Sequence, residues 1–458
     1  MCVCCKQISR CVCCAPACAL AAVVVLTVSS GALAQVSTPV TPLSSPPWSS
    51  LDVFDPVPFA DLLSRNPDDA AAPEDTPVKT REHPGYERIG IRAGPWMIMP
   101  SVTGGVSYDN NVFASGTDKQ GDLATTIKSS LGVQSLWERH GIDIQGDVRS
   151  IHFRRFSQLD QTDASLRVRG RIDLWHDAAI LTSLRVAKQH EGVGSLTSPT
   201  AAVAPTPYDV ASGDVTYWQR FNRLAASVGI RTDYYNYGST RSRDGSIINQ
   251  NSRDGRVAAA HGRFDYALTP ALGLFTALEI NQRDLRGTPT QALASRGYRA
   301  LSGVNVRFGN LIWGEFGAGY ASQRFQDPTI GTIAGPAFRG MLTWSPTRML
   351  DVHLKAEQIV TEASDTVAGG IKANAFQLGA DYELRRNLIL SVAATYERDQ
   401  FYGQSRNDEV RSVQTEIKYV LNRYSSISLQ HRYFRRDSNV PFASYDKHEV
   451  GVNVTARY

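Results

Sequence analysis

From Trp96 onward the chain alternates apolar and polar residues in stretches of about ten to fourteen, which is the period of a β-strand rather than a helix. Trp96, Ile98, Val102, Val106 and Tyr108 share one face of the first such stretch. Ile142, Ile144 and Val148 repeat the pattern, as do Leu166, Val168, Ile172 and Leu174, then Leu272, Leu274, Leu278 and Ile280, then Leu350, Val352 and Leu354. The interleaved positions are strongly polar: Asp143, Gln145, Asp147 and Arg149; Arg167, Arg169, Arg171 and Asp173; Asp351, His353, Lys355 and Glu357. Breaks between the stretches alternate in length. Eight tight ones, such as Phe221 to Arg223 and Leu384 to Asn387, separate nine longer ones rich in Gly, Ser, Asn and Asp, such as 109–123, 191–213 and 236–254. This spacing predicts an all-β chain of 18 antiparallel strands, with 16 as the fallback count. Short turns at one end and long loops at the other are the signature of a transmembrane up-and-down β-barrel.

Alternation alone does not say which face meets water, since a soluble sandwich also has an oily side. Aromatic placement favours lipid. Trp137, Phe221, Tyr266, Phe308, Trp344, Tyr382 and Tyr419 stand in phase with the apolar face just before the tight turns. Tyr108, Tyr234, Tyr320, Tyr396 and Tyr433 mark the opposite strand ends, and Trp175 borders a turn but falls out of phase. Two aromatic girdles suit the two interfaces of a bilayer, whereas a sandwich core has no reason to sort its rings by strand end. From Trp96 to Tyr108 is twelve residues, and a tilted strand needs about 9–11 to cross the hydrocarbon layer. Val450, Val452, Val454, Ala456 and the last residue, Tyr458, form the kind of aromatic-ended strand that outer-membrane insertion machinery recognises. The expected partners are therefore outer-membrane lipid and that machinery.

The segment before the barrel has another character. All seven cysteines precede residue 19. Lys6 and Arg10, the apolar run Ala19 to Val28 and the Ala32-Leu33-Ala34 site form a secretory signal, which predicts cleavage after Ala34 and export through a signal peptide over residues 1–34. Removing two positive charges takes the formal net charge from +4 to +2, a balance that gives no support to nucleic-acid binding. Residues 35–90 hold ten of the 22 prolines and acidic pairs such as Asp68-Asp69, so they read as a disordered periplasmic segment preceding a barrel over 91–458.

One stretch is distinctive. Pro100-Ser101-Val102-Thr103-Gly104-Gly105-Val106-Ser107-Tyr108-Asp109-Asn110-Asn111-Val112-Phe113 resembles the opening strand of the putative outer-membrane β-barrel porins of type 2. The resemblance implies a Gram-negative outer-membrane barrel, and an association with exopolysaccharide production and export.

Any transport must use the inward face. On the proposed phase Asp143, Asp147, Arg149, Arg167, Arg169, Arg171, Asp173, Arg263, Asp265, Arg299, Arg307, Asp351, Lys355 and Glu357 line the bore. So many charges require either water or dense pairing, and a barrel of 16–18 strands encloses an aqueous channel unless loops fill it. The expectation is a passive channel for small polar solutes or a secreted polysaccharide, with no cofactor and no enzymatic activity. Arg167, Arg169 and Arg171 form either a basic ladder or a structural one paired with Asp143 and Asp147. The rivals are a hydrolase of the outer-membrane lipase or protease kind, for which no G-x-S-x-G motif appears, and an adhesin or structural barrel binding through its long loops. Membrane-interface positions are expected at Trp96, Tyr108, Trp137, Phe221, Tyr234, Phe308, Tyr320, Trp344, Tyr396, Tyr419, Tyr433 and Tyr458.

Overall fold

The computed structural model describes residues 77–79, 81, 83–175, 177–287, 293–309, 311–362, 369–440 and 442–458. The expected signal peptide and most of the expected leader lie outside them. Strands follow one another as β1 (Ile91–Ala93), β2 (Trp96–Asp109), β3 (Asp122–Ser135), β4 (Gly141–Phe153), β5 (Gln161–Trp175), β6 (Ala178–Glu191), β7 (Thr206–Phe221), β8 (Leu224–Tyr237), β9 (Ser239–Arg241), β10 (Ile247–Asn249), β11 (Gly255–Thr269), β12 (Leu272–Leu285), β13 (Ser295–Phe308), β14 (Ile312–Phe325), β15 (Thr332–Thr347), β16 (Leu350–Glu362), β17 (Gly370–Arg385), β18 (Leu388–Tyr402), β19 (Asn407–Asn422), β20 (Ser425–Ser438) and β21 (Tyr445–Arg457). Omitting β1 and the small β9–β10 hairpin leaves 18 long strands, each antiparallel to its sequence neighbour. The ring closes where β2 meets β21, from Ser101 opposite Arg457 to Asp109 opposite Glu449. Trp96 to Ile98 extend past the end of β21, and β1 folds back to pair with them, which shortens the edge left there.

The alternation read from the sequence becomes the two faces of the wall. Val102, Val106, Leu166, Val228, Ile230, Leu278, Ile280, Leu354 and Val452 are exposed on the outside. A closed sheet satisfies its backbone groups internally and can present this face to lipid. Turns follow local chemistry: Asn222 and Arg223 alone link β7 to β8, and Asn222 takes φ 55°, the left-handed conformation that tight hairpins require and Asn tolerates. Trp175, out of phase in the sequence, follows a register shift between Asp173 and Trp175. The extra residue turns its ring outward, 56% exposed, so it joins the girdle.

Of the expected interface aromatics, Tyr108, Trp137, Phe221, Tyr234, Phe308, Tyr320, Trp344, Tyr396 and Tyr419 are exposed on the outer surface. Trp96 packs edge-on against Trp137 at 5.2 Å between ring centroids, Tyr433 lies 4.8 Å from His448, and Tyr458 stacks on Tyr424 at 6.2 Å.

The wall has a seam between β15 and β16. The ladder between β15 and β16 runs up to Arg339 opposite Glu357 and stops, while β15 continues to pair with β14 and β16 with β17. Pro336 lies in this half-paired stretch of β15, where a residue without an N–H is tolerated. Phe338 of β15 stacks on Phe376 of β17 at 5.5 Å.

Candidate functional site: a charged bore, an infolded loop and a basic strap

The charges on the inner face are not distributed evenly. On β11–β14 they are paired and nearly dry. Arg263 reaches Asp265 at 2.8 Å and Glu315 at 2.9 Å. It lies over the Phe275 ring at 4.2 Å, and Asn305 donates to Asp265 at 2.9 Å. Arg299 stands 3.9 Å from Glu279 and 3.8 Å from Glu357. These networks rivet the wall, because a buried charge is tolerated only when its partners are in place. Arg307 is half-buried on this wall, and Lys355 is exposed on β16.

The β3–β5 wall is wet by contrast. Arg169 pairs with Asp143 at 2.7 Å and Arg171 with Asp173 at 2.9 Å, yet the two arginine side chains stay 56% and 44% exposed, against 14% for Arg263 and 9% for Arg299. Arg149 is likewise exposed. Asp147 accepts from Ser130 at 2.6 Å and sits 3.4 Å from Lys128. Arg167 lies directly opposite Arg185 in the β5–β6 ladder. The three-arginine ladder is thus split: Arg169 takes Asp143, Arg171 takes its own strand neighbour, and Asp147 serves Lys128. A cavity of about 370 Å³ opens beside Asp143, Arg169, Arg171, Thr182 and Asp214.

The loop 192–205 between β6 and β7, expected to lie on the surface, instead folds into the bore. Its Leu196 packs with Ile371 and Ala373 of β17 and Phe401 of β18. Counting from β2, β7 is the sixth strand of the ring and β18 the fifteenth, nine of 18 away and therefore on the opposite wall. Val193 packs against Ala114, Val410, Phe434 and Tyr445, and the Tyr445 hydroxyl donates to the Gly194 carbonyl at 2.7 Å. The near side is held by Arg253, which is 1% exposed. Its guanidinium donates to both Glu191 oxygens at 2.7 and 2.8 Å. It also donates to the Thr197 carbonyl at 3.4 Å and lies 3.9 Å over the Tyr237 ring. A two-pronged carboxylate contact of this kind fixes direction as well as position.

At the turn end, the final part of the stretch read as a disordered leader packs against the wall. Val78 is fully buried and its N–H donates to Asp351 at 2.5 Å. Lys79 lies 3.9 Å from Asp381 and 4.0 Å from Glu416, Arg81 is 3.4 Å from Glu383, and His83 is 3.2 Å from the same carboxylate. Lys79, Arg81 and His83 thus lay one cationic edge across carboxylates of β17 and β19. Each contact is modest where partly exposed, and the set holds by number. Replacing both Lys79 and Arg81 with Glu sets like charges against that patch and releases the strap. Limited trypsin digestion of the folded protein then cuts at Arg88 and Arg92 faster than in the wild type, and an unchanged cleavage rate would show the strap is held otherwise.

A hydrolytic centre does not assemble around His353. Its Nε2 meets Asp381 at 3.0 Å and its Nδ1 meets the Thr343 hydroxyl at 3.1 Å. Ser391 donates to Asp381 rather than to the imidazole, so the serine–histidine contact of a hydrolytic triad is not made. Among the described residues no group of His, Cys, Asp and Glu is placed to hold a metal.

Arg253, the infolded loop and the strap had no signature in the alternation. The one available signal was the apolar content of the loop, Val193 and Leu196 followed by Ala201, Ala202 and Val203, which is greasy for a segment meant for water.

The family described as Putative beta-barrel porin 2 matches residues 83–458. No curated protein matches the sequence. Among solved structures, Pseudomonas aeruginosa OccK2 (OpdF) is similar at 10% identity and a TM-score of 0.44, covering 79% of this chain and 98% of that one. Pseudomonas aeruginosa OpdK with vanillate is similar at 12% and 0.43, covering 78% and 98%. Pseudomonas aeruginosa OpdL is similar at 13% and 0.41, covering 79% and 98%.

Proposed function

The chain belongs to the β-barrel porin 2 family, a porin-like barrel of the Gram-negative outer membrane, and from that premise we propose that it is a passive channel for small polar solutes running along the β3–β5 wall. The observation that carries this reading is the contrast in hydration: Arg169 and Arg171 keep about half their surface in water inside the ring while Arg263 and Arg299 are sealed. A charge costs least where it stays wet, so the solute path is the side where charge is left wet. Arg149, Arg167, Arg169 and Arg171 line it, with Asp143, Asp147 and Asp173 interspersed, and β11–β14 serve as its rigid back.

Loop 192–205 favours small solutes over the polysaccharide that the sequence resemblance suggests, since a polymer would have to pass a segment that reaches the far wall. The strand β21, with Val450, Val452 and Val454 outside, is the strand offered to the insertion machinery. Signal-peptide cleavage after Ala34 belongs to the same reading.

Purified protein in planar bilayers tests the channel, with liposome swelling in sugars of graded size to give its cut-off. Stepwise currents and swelling by small sugars only are expected. Changing Arg167, Arg169 and Arg171 together to Glu moves the reversal potential in a salt gradient toward cations, since charges lining a narrow wet path select by sign. A barrel that carries no current would defeat the proposal.

A further inference from the structure

The outer surface carries arginine at the loop end of several strands, and in most places the chain neutralises it. Arg411 and Arg435 stand directly opposite each other in the β19–β20 ladder. Like charges so placed repel, and carboxylates answer them: Arg411 meets Glu409 at 3.0 Å and Asp437 at 3.7 Å, and Arg435 meets Asp437 at 2.8 Å. Arg256 on β11 is met by Asp284 at 3.3 Å.

Arg296 and Arg324 repeat the arrangement on β13 and β14 without the remedy. They too are directly opposite, and both are exposed. Among the described residues neither forms an ion pair. Their outer ladder neighbours, Gln282 on β12 and Thr332 on β15, are uncharged. The pair shares the outward face with Tyr298 and Tyr320 of the upper aromatic girdle, which are 44% and 46% exposed. Arg296 lies two residues past Tyr298 and Arg324 four past Tyr320, so at about 3.3 Å per residue their Cα atoms stand about 7 and 13 Å along the strands from those tyrosines, at headgroup depth.

We propose that Arg296 and Arg324 form a clamp for a phosphate on the headgroup of an outer-leaflet lipid. A phosphate monoester carries about −1.5 to −2 charge and three acceptor oxygens at neutral pH. Two guanidinium forks side by side can take it in paired hydrogen bonds, and the charge relieves the repulsion that the sequence leaves standing. The assignment rests on the outer-membrane placement and not on the transport reading, and its test measures no current.

The test uses the full-length barrel in mild detergent, followed by native mass spectrometry with three probes: a phosphorylated glycolipid of the outer-leaflet type, the same lipid after phosphatase treatment, and inorganic phosphate. The wild type should hold the phosphorylated lipid about tenfold more tightly than the dephosphorylated one, the scale set by one or two charge-assisted hydrogen bonds. R296Q combined with R324Q should lose that preference, while R411Q combined with R435Q, where acids already serve the arginines, should keep it. R296K with R324K preserves charge and should retain part of it, which covers the case in which the glutamine variant fails to fold. Equal retention by the wild type and the R296Q/R324Q variant would overturn the clamp. Displacement of the lipid by inorganic phosphate at equal concentration would assign the site to a free anion and overturn the lipid.

Discussion

Replacing Arg253 with Ala should open the bore. In the wild type that guanidinium is 1% exposed and bonds both oxygens of Glu191, so truncation strands a buried carboxylate, a change that costs about 3–5 kcal/mol. It also removes the contact with the Thr197 carbonyl and the ring of Tyr237 loses its cation. What remains on the far side is Leu196 among Ile371, Ala373 and Phe401, Val193 against Ala114, Val410, Phe434 and Tyr445, and the Tyr445 hydroxyl on the Gly194 carbonyl. None of these holds the root of the loop beside β6, where the buried Glu191 carboxylate is left without its cation and is relieved by reaching water. The loop should therefore leave the lumen, while the wall keeps its ladders. Single-channel conductance rises in R253A and the sugar cut-off moves upward, and the loop becomes accessible to proteases. The milder E191Q keeps one neutral acceptor for Arg253 and should lie between the two. Unaltered conductance in R253A, with the loop still protected, would show that the loop is held by its tip instead.

The second large effect concerns the outside of the wall. Leu278 stands midway along β12 and is 48% exposed on the outer face. Arginine there meets acyl chains, and at the bilayer midplane that costs about 2–4 kcal/mol. The same substitution at Gln145, on the inner face of β4 beside the wet wall, meets water and should cost little. Urea titration of refolding into lipid bilayers should show L278R destabilised by that amount and Q145R close to the wild type. Equal costs at the two positions would contradict the assignment of faces.

How far the sequence could be read follows from the range of each interaction. Face and strand count were legible because alternation is a property of neighbours two residues apart: Val102 and Val106 need no knowledge of the rest of the chain to declare one side. Trp175 looked anomalous because a bulge shifts phase by one and composition does not record it. The contents of the bore were not legible. Arg253 finds Glu191 across 62 positions, and the N–H of Val78 finds Asp351 across 273. In the loop 192–205 the apolar content is the one local sign of an inward turn, and nothing local names the far wall as its partner. The prolines of the leader pointed to a solvated segment, and Lys79, Arg81 and His83 acquire a role only once Asp381, Glu383 and Glu416 are gathered from two strands by the fold. The pairing of the arginine ladder was likewise settled by register, which sets Arg169 opposite Asp143 and leaves Asp147 to Lys128.

The closure between β2 and β21 has a kinetic corollary. Val102 must find Ala456 and Val106 must find Val452, so the last ladder joins segments some 350 residues apart in a chain whose other ladders are nearly all hairpins. Hairpins zip locally and fast, but loop-closure entropy makes the final distant pairing slow. Until it forms, two raw strand edges are on offer to any other chain. Assembly should therefore proceed as an early, extended meander followed by a single late stitch, and the interval before that stitch is when the polypeptide most needs a chaperone.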